Sequence, residues 1–127
     1  MKKIIRQQII IFIMLCLFGC AAWKHPVTKE TPALLEQGKR LYVQACTWCH
    51  GRNGDGKGEI AIKLKILPSD FTKPLERWKH TQGDPRRIFN AITHGIADTS
   101  MAKFRYTEDE RWALTYAVMD FSRGKNP

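Results

Sequence analysis

Three stretches of the chain place apolar residues at the spacing of an amphipathic helix, and each has residues that favour a helix end. Thr31 can cap the first stretch, and the proline after it suits the first helical turn. Asp84, again followed by proline, begins the second stretch, and Gly95 ends it. The third stretch begins at Thr107, where the sequence T-E-D-E has the form of a capping box. The pattern therefore predicts three main helices.

The remaining segments predict one further helical turn and two long loops. The turn is expected between residues 59 and 66, and Pro68 follows it. No stretch alternates apolar and polar residues with the period of two that is typical of a strand. The loops at 67–83 and 95–106 are unusually long for a small domain unless another group packs against them. We therefore predict a small all-α domain with three to four helices.

The start of the chain has a different pattern. Lys2, Lys3 and Arg6 precede an uncharged apolar run over residues 9–18. This run is too short to span a bilayer, which needs about 20 apolar residues. It has the length of the apolar region of a secretory signal. Residues 1–19 are therefore predicted to be a signal peptide.

The end of this leader, Leu-Phe-Gly before Cys20, resembles the lipobox of bacterial lipoproteins. The resemblance implies cleavage before Cys20 and attachment of a diacylglyceryl group to it. Two or more acyl chains hold a protein stably on a membrane. We therefore expect a lipidated tether at residues 20–31, a folded domain at 32–127, and an exported, membrane-anchored protein that faces the periplasm or the cell exterior. A plain signal peptide or an uncleaved anchor is the alternative.

Size and charge narrow the functional classes. The chain has 127 residues and a formal net charge of +9, so one domain is expected and a large multidomain enzyme is excluded. Nucleic acid is not expected as a partner, because the sequence has neither a basic cluster nor a base-stacking motif. The basic excess is compatible with a role in solubility alone, and acidic protein surfaces or anionic lipid headgroups are better candidate partners than nucleic acid.

The motif with the clearest chemistry is C-T-W-C-H at residues 46–50, the attachment pattern of c-type haem. Two thiols three residues apart, near the end of a helix, can reach both vinyl groups on one edge of a porphyrin. The following histidine can then ligate the iron. We therefore predict one covalently bound haem c, attached through Cys46 and Cys49, with His50 as an axial ligand.

The cysteine pair is also compatible with two further kinds of site. A disulfide oxidoreductase would show a βαβ pattern around the pair, and none is visible. A structural zinc site would need two further ligands. Haem attachment accounts for all four cysteines, because Cys16 leaves with the signal peptide and Cys20 carries the lipid.

A second axial ligand would come from a distant part of the chain. Outside the leader, the methionines are Met101 and Met119. Met119 lies on the apolar stripe of the third helix, which favours a core position. Met101 lies in a loop that can bring its sulfur to the open face of the iron. We therefore predict Met101 as the ligand, with His80 and His94 as rivals.

Together these features resemble a class I, monohaem cytochrome c of the bacterial type. The resemblance covers about residues 33–123 and rests on the C-x-x-C-H motif, the glycine-rich loop after it, and the segments 38–42, 92–95, 99–101 and 112–116. It implies the cytochrome c fold, with long loops wrapped around one covalent haem. It also implies that the first and last helices cross at Gly38.

The resemblance further implies which residues surround the haem. A proline carbonyl orients the axial histidine in this family, and Pro68 is the match. Pro68, Phe71, Trp78 and Phe104 are expected to pack against the haem. One position departs from the family, because Met101 is followed by alanine where the family usually has proline. The ligand loop is therefore expected to be less rigid.

The expected function is electron transfer between respiratory redox partners. With His50 and Met101 both bound, the iron has no free site for a small-molecule substrate, so it would cycle between Fe(II) and Fe(III) by outer-sphere transfer. The protein would be a free membrane-anchored carrier or a subunit of a respiratory complex that docks on acidic patches. The alternative is a haem sensor or small haem enzyme with a displaceable sixth ligand.

Overall fold

A computed structural model of the chain describes residues 27–124. In this part the chain forms five α-helices and one 3-10 helix but no β-strand, which confirms the predicted all-α class. The signal peptide, Cys20 and the first part of the predicted tether lie outside the described residues. The elements are α1 (Pro32–Ala45), α2 (Thr47–His50), α3 (Glu59–Leu64), a 3-10 helix (Leu75–Arg77), α4 (Pro85–His94) and α5 (Glu108–Phe121).

The three main helices begin at the predicted capping residues. The side chains of Thr31 and Asp84 each accept a hydrogen bond from a backbone N–H of the first turn. At α5 the capping box is complete, because Thr107 Oγ1 accepts from the Glu110 N–H and the Glu110 carboxylate accepts from the Thr107 N–H. The short helix α3 ends two residues earlier than predicted, since Lys65 adopts a left-handed conformation with φ 55°.

Helix α1 packs against α5 more extensively than any other pair of helices in the described chain. Gly38 lies at the crossing. A Cβ built there would overlap the backbone carbonyl of Ala113 and approach the Ala117 Cβ to 2.9 Å. The absence of a side chain at Gly38 thus allows the two helix backbones to approach closely, as the resemblance to cytochrome c implies.

Helix α5 is buried on all sides. Every residue from Trp112 to Phe121 is buried, whereas the sequence predicts a single apolar stripe. The physical reason is that α1 and α4 both pack on α5, and residues before α1 also contact it. Met119 belongs to the hydrophobic core, as expected.

The residues just before α1 are held against α5. The Tyr116 hydroxyl donates a hydrogen bond to the Thr28 carbonyl. The Arg123 guanidinium binds the Glu30 carboxylate through two hydrogen bonds of 2.7 and 3.0 Å. The last part of the predicted tether therefore contacts the domain. Within residues 27–124, no helix combines the length and apolar character that crossing a membrane requires.

We predict that Gly38→Ala destabilises the haem-loaded protein. On helix propensity alone alanine would stabilise α1 by about 1 kcal/mol. The overlap with the Ala113 backbone cannot be relieved by rotating a side chain, so we expect a net loss of about 1–3 kcal/mol in the free energy of unfolding. Guanidinium denaturation followed by circular dichroism measures it. The control is Gln44→Ala on the exposed side of α1, and equal stability of the two variants would contradict the close crossing.

Candidate functional site

A cavity of about 560 Å³ lies between the helices and the two long loops. Apolar side chains from α4 and α5 form part of its wall, and residues from α1, α2 and both loops complete it. The lining includes Cys46, Cys49 and His50 together with Met101, which is distant in sequence. The structure thus brings the four principal residues of the predicted site to one cavity.

The C-x-x-C-H motif forms a tight turn at the end of α1. The Cys46 N–H continues the hydrogen bonding of α1 by donating to the Tyr42 carbonyl at 2.8 Å. The single-turn helix α2 follows, and the His50 N–H donates to the Cys46 carbonyl at 2.8 Å. Residues three and four apart in a helical turn lie on the same side, so both thiols and the imidazole face the cavity together.

The two thiols are free and half-buried. Burial, reinforced by Cys49, raises the pKa of the Cys46 thiol to about 12. A C-x-x-C pair that exchanges disulfides depends instead on a thiol with a lowered pKa, because the thiolate is the nucleophile. The environment of Cys46 therefore disfavours the disulfide oxidoreductase.

The imidazole of His50 is held in the form that can bind a metal. Burial lowers the pKa of His50, and a backbone hydrogen bond to Ser69 opposes that shift. Its Nδ1 lies 3.4 Å from the Ser69 carbonyl oxygen, at the long end of hydrogen-bond distances. A carbonyl only accepts, so Nδ1 carries the proton and Nε2 keeps a free lone pair.

The carbonyl beside His50 belongs to Ser69, whereas the resemblance pointed to Pro68. Pro68 nevertheless lines the cavity. Phe71 lines it as well, and its ring stacks on the His50 imidazole with centroids 4.5 Å apart. The segment 68–71 therefore supports His50 through one carbonyl and one aromatic ring.

Of the other residues expected to pack against a haem, Phe104 lines the cavity and Trp78 does not. Trp78 is buried behind Phe71, with ring centroids 4.9 Å apart, and its indole N–H donates to the Lys73 carbonyl at 3.0 Å. Trp78 thus packs against Phe71 and does not form part of the cavity wall. Whether an aromatic residue of a loop lines the cavity depends on the path of the loop backbone, which the spacing of residues in the sequence does not specify.

The methionines separate as the sequence predicts, since Met101 lines the cavity and Met119 does not. Among the rival histidines, His80 lines the cavity with an exposed side chain, and His94 is not part of the lining. Met101 lies in the loop between α4 and α5, which carries it to the cavity wall.

Sequence reasoning missed part of the apolar wall. Leu114 and Val118 of α5 and Ile88 and Ile92 of α4 line the cavity. Leu114 and Val118 are four residues apart and thus share one side of the helix. That spacing was a usable signal, but α5 has apolar residues on several sides, and the pattern did not distinguish the side that lines the cavity from the sides that pack in the core.

Tyr42 fixes the C-x-x-C-H turn from α1. Its hydroxyl donates to the Gly51 carbonyl at 2.8 Å, one residue beyond His50, and the pair is buried. Burial also raises the pKa of Tyr42, so the hydroxyl keeps its proton. Tyr42 therefore connects the helix before the motif to the residue after it.

The fold and the site together define a small c-type cytochrome. Residues 33–116 match the sequence profile of the family described as cytochrome C oxidase, cbb3-type, subunit III. Because the match covers well over half of the chain, the chain belongs to this cytochrome c family, in which haem c is covalently bound.

Solved structures support the same assignment. The chain is similar to one from Kuenenia stuttgartiensis in the "reducing HAO-like protein complex Kustc0457/Kustc0458", with 30% sequence identity and a TM-score of 0.67. The similarity covers 76% of this chain and 47% of that chain, so this chain spans about half the length of its relative. No curated protein is similar enough to count as a relative.

The residues present fit a covalently bound haem c. Two thiols on one turn, a neutral imidazole beside them and a thioether on another segment form the donor set around the cavity. The apolar walls suit the flat, largely apolar body of a porphyrin. The site is therefore chemically suited to the cofactor that the family carries.

We predict that Tyr42→Phe lowers the free energy of unfolding of the haem-loaded protein by about 1–3 kcal/mol, because the buried Gly51 carbonyl loses its partner. Guanidinium denaturation measures the change. The control is Tyr106→Phe, which removes a hydroxyl from a half-buried ring stacked on Phe104 and should cost less. An equal or larger loss in the control would show that the Tyr42 hydroxyl has no special role.

Proposed function

We propose that this protein is a monohaem c-type cytochrome that transfers single electrons, with its haem attached through Cys46 and Cys49 and with His50 and Met101 as the axial ligands. The observation that carries the proposal is that Cys46, Cys49, His50 and Met101 all line the same cavity. Membership of a cytochrome c family supports the same role.

A bound haem iron supplies one-electron chemistry between its ferrous and ferric states. Residues of this chain orient the histidine that would hold the iron and limit the access of water. The Ser69 carbonyl orients the His50 imidazole, and Phe71 packs on its ring. Ile92 and Leu114 contribute apolar surface that limits the access of water to the cavity. With His50 and Met101 as the two residues that would hold the iron, the site would favour electron transfer over binding of a small-molecule substrate.

The surface around the cysteines supports docking of a redox protein. Trp48 lies between the two cysteines and is 53% exposed. Leu67 lines the cavity and is 99% exposed. The cations Arg52 and Lys57 share a shallow groove with Trp48. An apolar centre beside positive charge suits a partner with an acidic rim, since complementary charge increases the rate of encounter.

The decisive test of the site is the spectrum of the purified ferric protein. We expect covalent haem that survives denaturing electrophoresis, and six-coordinate, low-spin iron with a sulfur-to-iron charge-transfer band. Met101→Ala should abolish that band, change the spin state and lower the reduction potential, while covalent haem remains. Absorption spectroscopy and redox titration measure these changes.

Met119→Ala is the matched control, because it also truncates a methionine to alanine, but at a position in the hydrophobic core. It should keep the wild-type spectrum and lose about 2–5 kcal/mol of stability. A colourless wild-type protein would refute haem attachment. High-spin wild-type iron that readily binds carbon monoxide would favour a haem sensor or small haem enzyme.

The proposal includes a membrane-anchored location, with lipid on Cys20 and the domain facing the periplasm or cell exterior. It rests on the leader sequence. The protein would act as a free carrier or as a subunit of a respiratory complex. The description of its family as an oxidase subunit, and the relative found in a protein complex, are compatible with the second arrangement.

We predict that Cys20→Ser moves the protein from the membrane fraction to the soluble exported fraction, because the acyl chains can no longer be attached. Fractionation of a bacterial host competent for lipoprotein and cytochrome maturation, with mass spectrometry of the mature protein, measures this. Cys16→Ser should leave membrane attachment unchanged. Retention of both variants in the membrane would indicate an anchor other than lipid on Cys20.

A further inference from the structure

In the loop between α4 and α5, the backbone N–H and the backbone carbonyl of Met101 both form hydrogen bonds. The Met101 carbonyl accepts a hydrogen bond from the Ile96 N–H at 3.0 Å. The Met101 N–H donates to Thr99 Oγ1 at 3.1 Å. Both hydrogen-bonding groups of the Met101 backbone are therefore engaged within the loop itself.

The hydroxyl of Thr99 connects Met101 to Ile96. While it accepts from the Met101 N–H, it donates to the Ile96 carbonyl at 2.7 Å. The Thr99 N–H reaches the same carbonyl at 3.3 Å. Ile96 thus holds Met101 directly through its own N–H and indirectly through Thr99. These hydrogen bonds form a closed ring over residues 96–101.

Two backbone conformations allow this ring to close. Gly95 has φ 75°, and a Cβ there would press on the Met101 carbonyl oxygen. Asp98 has φ 58°, in the left-handed region that aspartate tolerates better than most residues. Ile96, Thr99 and Met101 all line the cavity. The hydrogen-bonded ring is therefore part of the cavity wall.

We propose that Thr99 is a positioning residue for Met101, and that its hydroxyl fixes the Met101 backbone where the sulfur can bind the haem iron. This inference rests on the proposed axial role of Met101. Methionine is a flexible, unbranched side chain, so its binding to a metal has an ordering cost. Prior fixation of the backbone reduces that cost and makes the sulfur harder to displace.

The test uses the haem-loaded protein and imidazole as a probe that competes with Met101 for ferric iron. Thr99→Val keeps the shape of the side chain and removes the hydroxyl, whereas Thr99→Ser keeps the hydroxyl. We expect Thr99→Val to bind imidazole about three- to tenfold more tightly than wild type, which corresponds to the loss of one hydrogen bond. Its sulfur-to-iron band should disappear at correspondingly lower imidazole. Thr99→Ser should behave as wild type, and Thr99→Ala serves as a second variant without the hydroxyl.

Thr93→Val is the matched control. The Thr93 hydroxyl donates to the Phe89 carbonyl at 2.7 Å, a hydrogen bond made entirely within α4 and not part of the ring over residues 96–101. Thr93→Val therefore removes the same kind of hydrogen bond as Thr99→Val, and this change can lower the unfolding temperature. It should leave imidazole affinity unchanged, which separates a positioning role from a general loss of stability.

The outcomes distinguish this inference from the proposed function. Wild-type imidazole affinity in Thr99→Val and Thr99→Ala would overturn the role of Thr99, while a normal charge-transfer band would still support Met101 as the ligand. The same conclusion follows if Thr99→Ser resembles Thr99→Val, or if Thr93→Val shows an equal shift. A wild-type protein without the band would overturn the axial role of Met101 and this inference with it.

Discussion

The packing of α1 on α5 is the contact on which the geometry of the site depends. Helix α1 ends at the C-x-x-C-H turn, so its position sets where Cys46, Cys49 and His50 lie. Helix α5 forms part of the cavity wall through Leu114 and Val118. The close approach at Gly38 therefore sets how the helix that leads into the C-x-x-C-H turn lies against a helix that lines the cavity.

The long loops are organised by local interactions around that framework. The segment 68–71 presents a carbonyl and an aromatic ring to His50. The loop after α4 is closed by hydrogen bonds through Thr99, and its far end is tied to α4 by the Phe104 N–H, which donates to the Ile92 carbonyl at 3.0 Å. The loops thus have defined structure of their own, although the helices supply most of the apolar core.

The sequence was most informative where structure is set locally. Thr31, Asp84 and Thr107 cap helices because of the backbone groups next to them, so short patterns were enough to predict them. The C-x-x-C-H motif and the loop position of Met101 also pointed to one cavity. The Ser69 carbonyl and the position of Trp78 depend on the three-dimensional path of a loop, and no spacing rule distinguishes them from their neighbours. The absence of proline after Met101 predicts a less rigid loop, and sequence spacing does not reveal the hydrogen bonds that the Thr99 hydroxyl makes within that loop.

The contacts between residues 28–30 and α5 have a mechanical consequence. Thr28 is held by Tyr116, and Glu30 is held by Arg123. Tyr116 is two residues from both Leu114 and Val118, which places it on the opposite side of α5 from these two cavity-lining residues. A pull on the N-terminal end of residues 27–30 is therefore passed to Tyr116 of α5 and to Arg123, just after that helix. Neither contact is made by the loop that carries Met101, so such a pull does not act directly on that loop.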